Sequence, residues 1–445
     1  METAYAAALA LAGANPWQPR TAIPLNRLET GALDLLASLG WARHDSLAEL
    51  KKAFRELTGR QIVFSPSGQS AIAQILSLLP QREVVVPAYT CGVVKAAAHA
   101  AGKRIIYVDL AEGSVNSTSA EFAEAARPGR VLLATHQFGV PTDIEAICEL
   151  AKRRDCIVIE DSVAAFGGSL HGCPLGTFGD FGIFSFQRGK RIPAFRGAAI
   201  VVNNDRILET AKLESARLAA SHRSMPFREL LEAFIYNFAS IPWIYGRFTV
   251  PQLLRRYRKR ARAQNNQADS DMDLAAEIAL AKDYVQKSPY YTQELHPYQA
   301  ELVLRMLGRM RRIQQRITRT VETYIRRLRN SPWKICLSPE CDYAGLLRLP
   351  IVLPSRNRAH ILRDALERGL YLEVEYENLL PSNSEHRQFP NAVWAAANLI
   401  LLPLYAALSA KSVESLAQRV AGLAIEGTAV EQMQFAPAVA PGRQL

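Results

Sequence analysis

Between residues 60 and 205 the sequence switches repeatedly between two periods, and this alternation restricts the fold more than any other feature. Short β-branched runs occur at 82–88 (REVVVPA), 104–110 (RIIYVDL), 130–136 (RVLLATH), 156–162 (CIVIEDS), 181–186 (FGIFSF) and 198–204 (AAIVVNN). Stretches of helical period, such as SAEFAEAA and DIEAICELAKRR, separate several of them. Apolar strands alternating with helices predict an α/β fold with a largely parallel sheet covered on both faces. Ligands of such sheets bind beyond the carboxyl ends of the strands. His136, Asp161 and Ser185 fall at such ends.

Composition divides the rest. Residues 1–225 read as an N-terminal segment and a large α/β domain, and 226–288 as an aromatic and basic helical insertion with a linker. Residues 289–425 read as a long helix with a small α+β domain, and 426–445 as a flexible tail. One continuous helix is expected over 299–329, where Leu302, Met306, Met310, Ile313, Ile317 and Val321 recur at spacings of three and four. A chain of 445 residues, 49% of them hydrophobic, suits two packed domains.

The net charge of +11 favours an anionic partner: a phosphorylated ligand, a membrane surface or nucleic acid. No helix-turn-helix, zinc or RNA-binding motif accompanies the charge, so nucleic acid ranks last and none is expected. The six cysteines lack CxxC pairs and zinc-like spacing, so they read as reduced thiols of a cytoplasmic protein without a metal site. The start METAYAAALALAGANPW makes a poor signal peptide, and no uninterrupted apolar run is long enough to span a bilayer.

Three places carry chemistry. In FSFQRGK (184–190), Lys190 follows a buried strand on a Gly-containing turn, and a partly desolvated lysine amine is a Schiff-base partner. In VIEDS, Asp161 ends an apolar strand, where a carboxylate needs a cationic partner such as a pyridinium nitrogen. In SPSGQSAIAQIL (65–76), Ser67, Gly68 and Gln69 open a helix whose free N–H groups and dipole suit a phosphate, with Ser185 able to add a hydroxyl. Each alone has a plainer reading: a surface lysine, a turn-capping aspartate, an ordinary capped helix. His136 is read as packing or structural, at most lining the pocket.

The ordered set SGQSA, VVVPAYT, HQFGVPTD, VIEDS and FGDFGIFSF with Lys190 resembles the DegT/StrS sugar aminotransferases. The likeness runs from Ile23 to Val202 and continues more weakly through LHPYQAELVL (295–304) and NLILLPLYAALS (398–409). It implies the fold type I of enzymes that use pyridoxal 5′-phosphate: a mainly parallel sheet of seven strands flanked by helices, plus a smaller C-terminal α+β domain. It also implies a homodimer with active sites at the interface. The activity implied is transfer of an amino group from glutamate to a keto group of a nucleotide-linked sugar, in surface polysaccharide or glycan synthesis. Carried over, Lys190 is the covalent lysine, Asp161 contacts the ring nitrogen, and Ser67, Gly68, Gln69 and Ser185 lie at the phosphate. Relatives that dehydrate their sugar carry His where this chain has Lys190, so transamination is favoured.

The chain departs from the pattern at several positions. Among the positions that the resemblance assigns to the cofactor, Ala164 stands for the usual Gln three residues after the aspartate and Cys91 for the stacking aromatic, with Tyr89, two residues away, as the candidate to replace it at the ring. The turn after the lysine reads PAFRGA (193–198), and Thr292 and Glu294 replace an Asn and an Arg contributed by the neighbouring subunit. A divergent acceptor follows; the alternatives are a non-catalytic or regulatory protein on the same fold and a different reaction of the same cofactor. Residues 229–262 end in Arg255, Arg256, Arg258, Lys259, Arg260 and Arg262 after Trp243 and Tyr245. They read as a helix pair packed on the domain or a second subunit, with peripheral contact to the inner face of a membrane as the sharper alternative.

Overall fold

The six apolar runs all become strands of one sheet. The computed structural model describes residues 23–24, 26–41, 45–204, 225–256, 294–377 and 379–423. Its main sheet contains β1 (Gln61–Ser65), β2 (Glu83–Pro87), β3 (Arg104–Val108), β4 (Arg130–Thr135) and β5 (Ile157–Asp161). A short hairpin, β6 (Ser169–Leu170) and β7 (Cys173–Pro174), precedes β8 (Phe181–Ser185) and β9 (Ala198–Val202), which complete the sheet. The spatial order is β1-β9-β8-β5-β4-β2-β3. The strands from β3 through β8 pair in parallel, whereas β9 is antiparallel to both β8 and β1. β1 was not singled out by periodicity, because QIVFS is a short run directly followed by helical spacing.

Side chains on successive strand residues point to opposite faces, so each central strand feeds two cores. Val84, Val86, Val131 and Leu133 pack under α2 (Gly68–Leu78) and α3 (Gly92–Ala100), which follow a first helix, α1 (Ala32–Trp41). Val85, Leu132, Ala134 and Val158 pack on the other face against Ile144, Ile147 and Leu150. Further along, α4 (Met225–Ala239) opens the aromatic segment. A second, antiparallel sheet is built from β10 (Lys334–Ile335), β11 (Arg348–Val352) and β12 (Ile400–Pro403). No helix among the described residues is long and apolar enough to cross a membrane. The tail, Thr292 and most of the linker lie outside the described residues.

The single helix expected over 299–329 is in fact two: α5 (Pro297–Leu307) and α6 (Met310–Leu328). The apolar stripe continues across the break, with Leu302, Met306, Ile313, Ile317 and Val321 all buried, and this hid the interruption from a periodicity argument. Gly308 is a weak helix former, and Arg309 between the helices is drawn to α1, donating to both carboxylate oxygens of Asp34 at 2.8 and 2.6 Å.

Burial alone would raise the pKa of Asp34, but hydrogen bonds from Arg309 and from the Gly31 N–H together hold it below the usual carboxylate range. A depressed folded pKa means that the stabilisation is complete above the unfolded value and lost as pH falls through the folded one. Asp34→Ala is expected to lower stability by about 1–2 kcal/mol at neutral pH in denaturant titration, the half-exposed Arg309 screening the pair. The difference from wild type should shrink in acid.

Candidate active site

The end of β5 sets out the site. Glu160 and Asp161 are consecutive, so they face opposite sides of the sheet. Glu160 is fully buried and accepts the N–H groups of Gly176 (2.5 Å), Phe178 (2.8 Å) and Gly179 (3.2 Å). His136 completes this cluster. Its Nδ1 accepts the Thr142 N–H at 3.1 Å, which leaves the proton on Nε2 to be donated to Glu160 at 3.0 Å. His136 is therefore structural and does not line the cavity described below. The 176–179 turn so fastened lies tight under β8: a Cβ on Gly182 would meet the Gly176 carbonyl oxygen at 1.9 Å.

Asp161 has the opposite surroundings. Its Oδ1 accepts the Val163 N–H at 3.1 Å. Burial raises its pKa, and the rise is opposed by that N–H and then by the Lys190 charge. The carboxylate thus sits in a place that calls for a cation.

Lys190 is held by the loop between β8 and β9. The loop is tied at its base by Phe186 N–H to Gly197 (2.9 Å) and Ala194 N–H to Phe186 (2.7 Å), and the Gly197 N–H reaches Pro66 (2.8 Å). That last bond joins the lysine loop to the start of α2. There, Ser67 accepts the Ser70 N–H at 3.0 Å and its carbonyl takes the Ala71 N–H, leaving the first-turn N–H groups of Gly68 and Gln69 without an acceptor among the described residues. Gly68 brings the helix start against β8: a Cβ there would be 3.3 Å from Ser185 Cβ and 3.4 Å from its Oγ. Ser67, Gly68, Gln69 and Ser185 are thus gathered at one point.

A cavity of about 560 Å³ opens over Lys190. Of the other residues expected from sequence, only Ala164 lines it. Cys91, at the N-cap of α3, lies within electrostatic reach of Lys190 and Asp161, and burial pushes its thiol pKa up. Tyr89 has a different place from the one its spacing suggested. It is fully buried, with its ring edge-on to Phe138 and Tyr376 and its hydroxyl donating to the Glu375 carbonyl at 3.4 Å. Five aromatics line the cavity, Phe138, Tyr236, Tyr245, Tyr371 and Tyr376, and of these Phe138 and Tyr376 are stacked at 5.7 Å and 19°. Both stacked residues have positive φ, 58° and 53°, a conformation that bulky residues adopt only under constraint. Phe138 lies inside the HQFGVPTD motif; Tyr376 had no sequence signal beyond its aromatic type. Arg348 and Glu373, a buried ion pair, also line the cavity. So do Tyr245, Thr249 and Leu253 of the aromatic segment.

The pattern of the DegT/DnrJ/EryC1/StrS aminotransferase family matches residues 29–237 and 268–421, most of the chain. The chain belongs to this family. A dTDP-4-dehydro-2,3,6-trideoxy-D-glucose 4-aminotransferase of Saccharopolyspora spinosa is 33% identical over 134 residues, 29% of this chain and 35% of that protein. A UDP-N-acetyl-3-dehydro-alpha-D-glucosamine 3-aminotransferase of Acidithiobacillus ferrooxidans is 33% identical over 147 residues, 32% and 40% of the two. The chain thus aligns with well under half the length of these curated relatives. Among solved structures, the aminotransferase TlmJ of Streptoalloteichus hindustanus superposes with TM-score 0.64 at 20% identity, covering 92% of this chain and 98% of that one. Helicobacter pylori PseC superposes with TM-score 0.66 at 15% identity, covering 92% and 99%. These likenesses show the fold. Residues 238–267, which include Tyr245, Thr249 and Leu253 of the cavity wall, fall between the two matched segments.

The residues present fit a phosphorylated cofactor with a cationic ring. Among the described residues, two N–H groups without an acceptor and a hydroxyl meet where the glycine leaves room, a buried carboxylate has no ion-pair partner at contact distance, and a lysine lines the cavity. Because burial raises the Asp161 pKa, its ionised form opposes folding. The penalty is absent below the unfolded pKa and grows as pH rises through the folded one. Asp161→Asn is therefore expected to raise the melting temperature of the cofactor-free protein at neutral pH, with no gain in acid, and to lower it relative to wild type once pyridoxal 5′-phosphate is added.

Proposed function

We propose that this chain is a pyridoxal 5′-phosphate-dependent aminotransferase that moves an amino group from glutamate to a keto group of a nucleotide-linked sugar, in polysaccharide or glycan synthesis. The observation that carries the reading is Lys190 and Asp161 brought within electrostatic reach of each other beside a helix start with unpaired N–H groups. When bound, the cofactor supplies an electron sink for the bond-breaking at the substrate carbon.

The chain's own residues divide the remaining work. The Gly68 and Gln69 N–H groups, the Ser67 side of the helix start and the Ser185 hydroxyl would hold the phosphate. Asp161 would hold the ring nitrogen in its protonated, electron-withdrawing form. Lys190 is the covalent anchor and, as a free amine, takes and returns the proton of the substrate carbon. The Phe138–Tyr376 stack would stand in for the aromatic missing at Cys91, and the Ala164 position gives no side-chain hydrogen bond to the cofactor.

We also infer a cytoplasmic homodimer with active sites at the subunit interface. Support comes from an exposed apolar stripe on α4 (Leu231, Ile235, Phe238) that continues to Trp243; Phe238 is 63% and Trp243 69% exposed. Peripheral contact with a membrane is the second reading, favoured by Arg247, Arg255 and Arg256 beside these aromatics. Light scattering should give a mass of two chains, reduced to one by Phe238→Asp. A monomeric wild type that sediments with anionic vesicles would favour the second reading.

The purified protein should show a visible chromophore that borohydride fixes to the peptide containing Lys190, and glutamate should bleach it. Lys190→Ala should keep the fold and lose the fixed label. Its turnover should fall by at least about 10²–10⁴-fold, the range for a positioned proton-transfer group. A chain that takes up no chromophore when incubated with pyridoxal 5′-phosphate would be a non-catalytic member of the family.

A further inference from the structure

The cavity over Lys190 contains a carboxylate that the reaction proposed above does not use. Glu375 lines it, and among the described residues no hydrogen bond or ion pair reaches its side chain. The backbone that carries it is nevertheless fixed from several sides. Arg348 grips Glu373, the Leu401 N–H donates to the Glu373 carbonyl at 3.0 Å, and the Tyr89 hydroxyl holds the Glu375 carbonyl. Tyr376 is locked in its positive-φ conformation by the stack on Phe138. Arg348 lies within electrostatic reach of Glu375, but its hydrogen bonds go to Glu373 and the Leu347 carbonyl, so the Glu375 carboxylate keeps acceptor capacity for the donors of a ligand.

An ionised carboxylate only accepts hydrogen bonds. Its complement is a hydroxyl or amide N–H, and it repels phosphate. Arg188 is a second kind of wall: nearly half exposed and two residues from Lys190, it lies 3.5 Å from Glu232 of α4. Tyr245, Thr249 and Leu253, from the segment between the two matched stretches, add a mixed wall that bounds the room for a ligand ring.

We propose that Glu375 is the acceptor-recognising residue: it accepts hydrogen bonds from the hydroxyl or amide groups of the sugar ring of a nucleotide-linked acceptor. The diphosphate lies toward Arg188, and the Tyr245–Leu253 wall limits the size of the ring. The assignment rests on the aminotransferase reading and adds the orientation of its acceptor.

The test is calorimetric binding to the cofactor-loaded protein, with no turnover required. The probes are UDP-N-acetylglucosamine, dTDP-glucose and GDP-mannose, with UDP, dTDP and GDP as partners lacking the sugar. At least one sugar-bearing probe should bind wild type, and Glu375→Ala should weaken it about tenfold or more, the loss expected for hydrogen bonds to a charged group. Binding of the matching nucleoside diphosphate should be unchanged, and Leu253→Trp should exclude the sugar-bearing probe. The proposal is overturned if no sugar-bearing probe binds wild type, if Glu375→Ala binds as wild type does, or if it loses both probes equally. A wild type without the lysine-bound chromophore would overturn the enzyme reading itself, and this proposal with it; a chromophore with unaltered binding in Glu375→Ala overturns this proposal alone.

Discussion

A buried negative charge on the far side of the sheet fixes where the chemistry can happen. Glu160 gathers three backbone N–H groups and one imidazole, and the turn it holds has no room for a side chain at Gly182. An unpaired carboxylate at that depth would be strongly unfavourable, so the turn cannot move without uncovering it. Since β8 follows the turn directly, Ser185 and the lysine loop inherit its position. Since Asp161 is the next residue after Glu160, the strand pleat turns it the other way, within electrostatic reach of Lys190. Two adjacent carboxylates thus have unlike roles: one is saturated with donors, the other waits for a cation.

The cavity itself depends on strain. Phe138 and Tyr376 come from distant parts of the chain, each in a left-handed backbone conformation, and each is held by the other's ring. The Leu347 N–H bonded to Phe138 and the Tyr89 hydroxyl bonded to Glu375 add backbone anchors. Such conformations persist only where the surroundings over-determine them. The result is a rigid aromatic face beside Lys190.

How much was legible in the sequence follows the range of the interactions. The strands were readable because β-branched runs declare themselves locally, and Lys190, Asp161 and the helix start because each sits in a short motif. The break at Gly308 was not, because an apolar stripe on one face says nothing about an arginine pulled sideways by Asp34, which lies 275 residues away. His136 showed only its place at a strand end; its partners Thr142 and Glu160 belong to separate elements, and their geometry gave the imidazole its structural role. Tyr89 was placed by spacing, but burial turned it behind the cavity. Glu375 and Tyr376 sit in a stretch with no motif, and only folding brings that stretch opposite Lys190.

The single antiparallel strand carries a consequence for the order of assembly. In the sheet β1 touches only β9, although about 130 residues of chain separate them. As the chain emerges from the ribosome, β2 through β8 can find their neighbours while β1 has none. The helix start that follows β1 has no fixed place until the lysine loop closes through Gly197 to Pro66. The cradle encoded earliest is therefore among the last parts to be completed, and a nascent chain cut before residue 198 would expose an unpaired strand edge to its neighbours.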